Sequence, residues 1–310
     1  MIHITKSVPS SWMAFDLNIL RRLEFRSVAM PFADDPTLGI YLKRRRVRVL
    51  ANDLLQSSWT RAVAQIQNNG EKLSDDDVNL VLEDVYIPRH KLVNPALRNW
   101  FTETDAWWFD NVRQNLERLD TPFKFAIAAT LAMAVGDYVH SFTDDTLEFR
   151  QPLTNAFRRL WTIMPDPVNN GQNNDCFNKN PYEFIAESKH AELMFLRLPP
   201  AGSVGRDTLN RSLWREEWLR GGSDFWLELE RTRSGRLGMP VETKSQYLRL
   251  LEETLRTASH ITKWAIAHVE SGFLSTQDIV DVINRIRRVE TIYTKDFSEL
   301  TGTKAVIITA

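Results

Sequence analysis

The chain has 310 residues, with 39 Lys and Arg against 40 Asp and Glu, one Cys and 43% hydrophobic residues. Charged residues make up 25%, the ordinary globular proportion, which excludes disordered, collagenous and coiled-coil classes. Lone Cys176 excludes a disulfide framework and a Cys-rich zinc module, and a formal charge of −1 lacks the excess of cations that a nucleic-acid partner usually brings.

Residues 1–15 lack the apolar run of a signal peptide. The longest uncharged apolar stretch, residues 125–135, spans 11 positions, too few to cross a bilayer and suited to a buried helix. A soluble, cytoplasmic protein without a membrane partner is expected.

Residues 28–32 form an apolar run followed by the turn Asp34-Asp35-Pro36. A helix through Leu38, Tyr41 and Leu42 then ends in Lys43-Arg44-Arg45-Arg46, and Val47, Val49 and Leu50 open a second run that closes on Asn52-Asp53. Strand, helix and strand in this space make a tight βαβ unit, with a further helix expected over 54–67. Ser74 before Asp75-Asp76-Asp77 reads as a helix start, where the dipole favours carboxylates. Thr102 with Asp105 fits a capping box, and Trp108, Val112, Leu116 and Leu119 follow at helical spacing. Thr121-Pro122 opens the next helix, 151–163 gives a third, and 165–180, rich in Asn, Asp, Gly and Pro, reads as a loop.

Residues 191–196 read as a strand ending before Pro199-Pro200, and two or three helices cover 209–257. Residues 261–269 read as a buried strand. Ser275 and Asp278 form a capping box opening a helix with Ile279, Val282, Ile283 and Ile286 on one face. Residues 289–293 and 305–309 are the closing strands. The assembly is an α/β fold with one mostly parallel, Rossmann-like sheet, divided as 1–84 (first part of the core), 85–185 (a helical insertion) and 186–310 (second part of the core).

Few residues carry chemistry by spacing alone. G-x-S-x-G and H-E-x-x-H are absent, and His3, His90, His140, His190, His260 and His268 lack metal-ligand spacing, so no metal is expected. His140 and His268 read more readily as buried partners or surface polar groups than as catalysts. Gly39 stands alone, so no phosphate-cradling loop is present. The ten Trp residues suit core anchors better than base-stacking platforms. Asn180-Pro181-Tyr182 reads as a helix N-cap with Pro at the first position.

The order of the pieces carries more. The stretch 31–56, PFADDPTLGIYLKRRRVRVLANDLLQ, and the stretch 191–201, AELMFLRLPPA, lie at the ends of expected strands. GFLSTQDIVDVINRI and the final AVIIT lie within 264–310. This arrangement resembles the D12-class (Dam-like) adenine-N6 DNA methyltransferases. The resemblance implies a first motif, F-x-G-x-G, cradling S-adenosylmethionine, an acidic residue after the second strand on the ribose, and a D-P-P-Y motif holding the target adenine. It also makes 85–185 similar to a target-recognition insertion, with 101–119 as the helix preceding it.

Phe32 and Asp53 stand at the family's cofactor positions, whereas Asp34 and Pro36 replace the two glycines. A side chain there obstructs close backbone approach, a carboxylate repels the cofactor's own, and Pro removes an N–H. At the catalytic motif stand Leu198, Pro199, Pro200 and Ala201, without the carboxylate acceptor or the stacking Tyr that a flipped adenine needs. No catalytic residue is therefore assigned and no cofactor is expected, S-adenosylmethionine being the one the resemblance would allow. The expected function is a catalytically inactive, DNA- or partner-binding subunit of a modification, restriction or defence system, paired with an active methyltransferase or another subunit. The alternatives are an active adenine methyltransferase with divergent motifs and an interaction scaffold without nucleic acid. Lys43, Arg44 and Arg45, with Arg46 and Arg48, are the candidate phosphate contacts, against the reading of a solvated helix end with dipole-favoured cations.

Overall fold

The computed structural model describes residues 10–88, 90–200, 213–270 and 273–310. Seven strands form one sheet in the order β3-β2-β1-β4-β5-β7-β6. The strands are β1 (Ser27–Met30), β2 (Arg48–Asn52), β3 (Asp175–Phe177), β4 (Leu193–Arg197), β5 (Lys263–Glu270), β6 (Thr291–Asp296) and β7 (Lys304–Thr309). β1 to β5 pair in parallel, while β7 runs antiparallel to both β5 and β6.

Side chains alternate along a strand, so a central parallel strand feeds two cores. Val28 and Met30 enter one core and Ala29 the other; Phe195 and Met194, Ile307 and Ile308 divide in the same way. Helices therefore cover both faces. The first core takes α1 (Ser10–Leu20), α2 (Thr37–Arg44), α3 (Gln56–Ala62) with the π-helical turn Val63–Gln67, α4 (Asp75–Val81), α5 (Glu103–Leu116), α6 (Pro122–His140), α7 (Leu153–Thr162) and α9 (Leu213–Arg220). The second takes α8 (Pro181–Glu187), α11 (Lys244–Thr257) and α12 (Thr276–Asn284). α10 (Trp226–Arg233) leads into the turn that reaches the sheet's edge.

The helix starts follow from local chemistry. Ser74 and Ser275 make reciprocal capping boxes with Asp77 and Asp278. Thr102 accepts from Asp105 N as expected, but Asp105 turns its carboxylate to the Thr102 hydroxyl at 2.8 Å and to Arg150 in a two-pronged ion pair. Asn180 caps α8 through Tyr182 N, with Pro181 at the first position.

α5, α6 and α7 share one core with the sheet: Trp108, Phe109, Leu131 and Phe157 pack in the same cluster as Val28 and Phe195. Phe109 meets Phe101 at 4.2 Å and Trp214 at 5.4 Å. A Cβ on Gly136 of α6 would lie 2.2 Å from the Trp214 ring, so glycine is what lets the indole close on the helix. α6 is the one described helix long and apolar enough to cross a membrane; half of its most apolar stretch is buried, against α3, α5 and α7. The stretch 165–180, read as a loop, contains β3, which pairs with β2 through Leu50 and Asp175, Ala51 and Cys176, and Asn52 and Phe177. The segment 85–185 thus contributes a strand to the sheet as well as helices.

Candidate active site at the carboxyl edge of the sheet

β1 and β4 are neighbours at which the strand order reverses; α2, between β1 and β2, packs in the first core, and α11, the last α-helix before β5, packs in the second. In an open α/β sheet this switch point, at the carboxyl ends of the strands, is where ligands sit. Four pieces of chain meet here: 31–36, 52–58, 198–200 and 232–239.

Buried Asn52 fixes the floor. Its amide donates to the carbonyls of Pro31 and Lys179, both at 3.1 Å, and its carbonyl accepts from Lys179 N. Ala33 N donates to Asn52 O, so the turn after β1 is held against the end of β2.

Both helices that start beside the crevice are capped by the chain's own carboxylates. α2 follows directly on Pro36, which has no N–H, and the next donor, Thr37 N, goes to Asp35 Oδ1 at 2.8 Å. At α3, Leu55 N donates to Asp53 Oδ1, and Gln56 N and Ser57 N donate to the two oxygens of Glu216, each at 2.8 Å. Glu216 comes from α9, is 1% exposed, and also accepts from Arg220 Nε at 2.7 Å.

Asp34, Asp53 and Glu216 therefore crowd one end of α3. Burial, and after it the charge of Asp34, pushes the Asp53 carboxyl up to about 7, with the Leu55 N–H and Arg233 opposing the rise. Burial holds the Arg233 guanidinium below its ordinary value. Asp34 itself is exposed, with Arg61 3.7 Å from its carboxylate and bonded to its backbone carbonyl.

Phe32 is half-buried against the second core. The turn after α10 lies on it: Gly238, at φ +94°, would place a Cβ 3.2 Å from the Phe32 ring and 3.8 Å from Pro199. Asn180 holds the end of α10 through Thr232 O, and in the turn Arg236 stacks over Tyr182 at 4.4 Å. At the end of β4, Leu198 N extends the pairing to Ala267 O while its side chain packs on the second core. The Pro199 carbonyl accepts the Tyr247 hydroxyl at 2.8 Å, and burial raises that hydroxyl's pKa further above neutrality. Pro200 is exposed; Ala201 lies outside the described residues.

The fold thus brings Phe32, Asp34, Pro36, Asp53, Leu198 and Pro199 to one edge. S-adenosylmethionine needs backbone donors for its carboxylate and room for its adenosyl group. Those donors at α2 are a proline and an N–H already bonded to Asp35, and the Phe32 face is covered by the Gly238 turn. These residues do not fit the cofactor in this arrangement. Sequence reasoning missed Glu216, Arg233, Gly238 and Tyr247, all of which reach the site from the far side of the chain. The only local signal is the pair Glu216-Glu217 set between buried Trp214 and Trp218.

Among the proposed phosphate contacts, Lys43 needs correction. It is 0% exposed, and its ammonium donates to Asn68 O at 2.6 Å, so it is not a surface cation. Burial lowers its pKa to about 8. Arg44 and Arg45 are exposed, but α2 ends where β2 begins, placing them at the opposite, amino edge of the sheet. Of the two histidines singled out, His268 is buried on β5 and lowered to about 4 chiefly by desolvation, and His140 packs against Phe101 and Trp214. Among the described residues no three His, Cys, Asp or Glu gather as a metal site.

Strand order, strand direction and the crevice at the switch point define a Rossmann-like methyltransferase fold. Over 90% of its length the chain is 20% identical to the Type II methyltransferase M2.HphI of Haemophilus parahaemolyticus, covering 87% of that protein. No protein-family profile matches the chain.

Proposed function

We propose that this methyltransferase-like protein is a non-catalytic relative of the D12-class adenine-N6 DNA methyltransferases, acting as a DNA- or partner-binding subunit beside an active enzyme of a modification, restriction or defence system. The observation that carries the reading is the end of β4. Where methyl transfer to adenine needs a hydrogen-bond acceptor, half-buried Leu198 packs against the second core and the neighbouring Pro199 carbonyl accepts the Tyr247 hydroxyl. The capped helix starts and the covered Phe32 support it from the cofactor side. Isothermal titration with S-adenosylmethionine is expected to show no binding; micromolar or tighter affinity overturns the reading.

The second reading is an active enzyme with divergent motifs. It draws on the Type II methyltransferase M2.HphI likeness across nearly the whole chain and on Phe32 and Asp53 standing in place. It requires transfer of labelled methyl groups to DNA, lost in Asp53→Ala. Absence of transfer, alone and with candidate partners, removes it.

A further inference from the structure

The amino edge of the sheet, away from the methyltransferase-like crevice, carries a cavity of its own. A cavity of about 340 Å³ opens between the end of α2 and the loop before β3, lined by Lys43, Arg44, Arg46, Asn169, Asn170 and Gln172. That volume is at the lower end for small-molecule pockets. Its lining carries cations and amides and no carboxylate. Among the described residues neither Arg44 nor Arg46 makes an ion pair; Arg44 lies over Tyr41.

The backbone adds an independent observation. α2 ends in a Schellman motif: Arg46 N bonds to Lys43 O and Val47 N to Leu42 O. The residue after the cap of such a motif adopts the left-handed conformation, which glycine takes without strain. Here that residue is Arg46, at φ 63°. A side chain kept where glycine fits better points to a use for that side chain. Cations at a helix C-terminus are also favoured by the dipole, but that benefit is available to Lys43, Arg44 and Arg45 without a strained backbone.

We propose that this cavity binds a phosphate-bearing ligand, with the guanidinium groups of Arg44 and Arg46 as its charged donors and the loop amides as its neutral ones. Guanidinium suits phosphate because its paired N–H groups match two oxygens. The shared chemistry is a nucleotide phosphate, either free or within a nucleic-acid strand. The inference deepens the DNA-binding half of the proposed function and does not depend on whether the carboxyl-edge crevice is catalytic.

The test is titration of the full chain with adenosine 5′-monophosphate and, separately, with a short DNA duplex, for the wild type, Arg46→Gly and Arg44→Ala. Arg46→Gly relieves the left-handed strain, so its Tm is expected to stay level or rise while affinity falls at least about tenfold. Arg44→Ala, an exposed change, is expected to weaken the same ligand without a change in Tm. Loss of mononucleotide binding identifies a free nucleotide; loss confined to the duplex identifies a strand phosphate. Either supports the site. Failure of both probes to bind the wild type overturns it, as does binding that both variants retain. Duplex binding unchanged by the variants leaves DNA binding standing and removes this cavity from it.

Discussion

At the carboxyl edge of the sheet, Asp35 caps α2 and Asp53 with Glu216 caps α3, so helix starts that would serve a foreign anion are filled by the chain's own. At the amino edge, Arg44 and Arg46 line an open cavity with no carboxylate in its wall. A formal charge of −1 conceals this division. The sum of charges says little about a partner when one cavity wall carries cations and amides without a carboxylate.

The largest break in that comparison comes from Glu216. Glu216→Ala leaves two backbone N–H groups and Arg220 without their acceptor in a buried setting, and a loss of about 3 kcal/mol is expected in urea unfolding. A loss below about 1 kcal/mol would mean the carboxylate does not hold α3.

Asp53→Asn is expected to act in the other direction. Because the folded protein holds the Asp53 proton up to about pH 7 and the unfolded chain releases it near 3.8, stability falls as pH rises between those values. Above pH 7 the penalty is fully present, and there Asn, still accepting from Leu55 N, should stabilise by roughly 1–2 kcal/mol, with the gain vanishing near pH 4. His268 works oppositely: its folded pKa of about 4 against 6.5 unfolded makes stability rise with pH across that span. Asp53→Asn should therefore expose a rising limb that the wild type partly cancels. In urea midpoints from pH 4 to 8, a flat profile in the variant counts against the His268 assignment, and a variant profile parallel to the wild type's counts against that of Asp53.

The smallest effect is expected at the amino edge. Arg45→Ala, on an exposed side chain outside the cavity wall, should change stability by less than about 0.5 kcal/mol. A larger loss would place Arg45 in the fold, as burial already places Lys43.

Much of the sheet was legible because β1, β2, β4, β5 and β7 are apolar runs bounded by breakers, and the capping residues Ser74, Asn180 and Ser275 announce their helices locally. β3 was not, since three residues, Asp175 to Phe177, sit in an Asn-rich stretch and owe their strand to pairing with β2. The burial of Lys43 was hidden by its position in a run of four cations: only the fold shows that Asn68 O lies above it. At the site, Phe32, Asp34, Pro36, Asp53 and Leu198 could be placed by order along the chain. Glu216, Arg233 and Gly238 could not, because nothing local tells which distant helix or turn will meet α3 and Phe32.

The position of β7 bears on how the protein is made. It lies between β5 and β6 and bonds to both, so until residues 304–309 arrive β5 is paired on its β4 side alone and β6 has no strand to pair with. Until then β5 and β6 each present an open edge, and the strong β-formers of β5 are free to pair with another chain. During synthesis the half of the sheet built on β1 and β2 can gather early, while the other half waits for its central strand. Loss of six residues there would unzip two strand pairs at once, which makes Lys304–Thr309 the keystone of assembly although no candidate site residue lies in it.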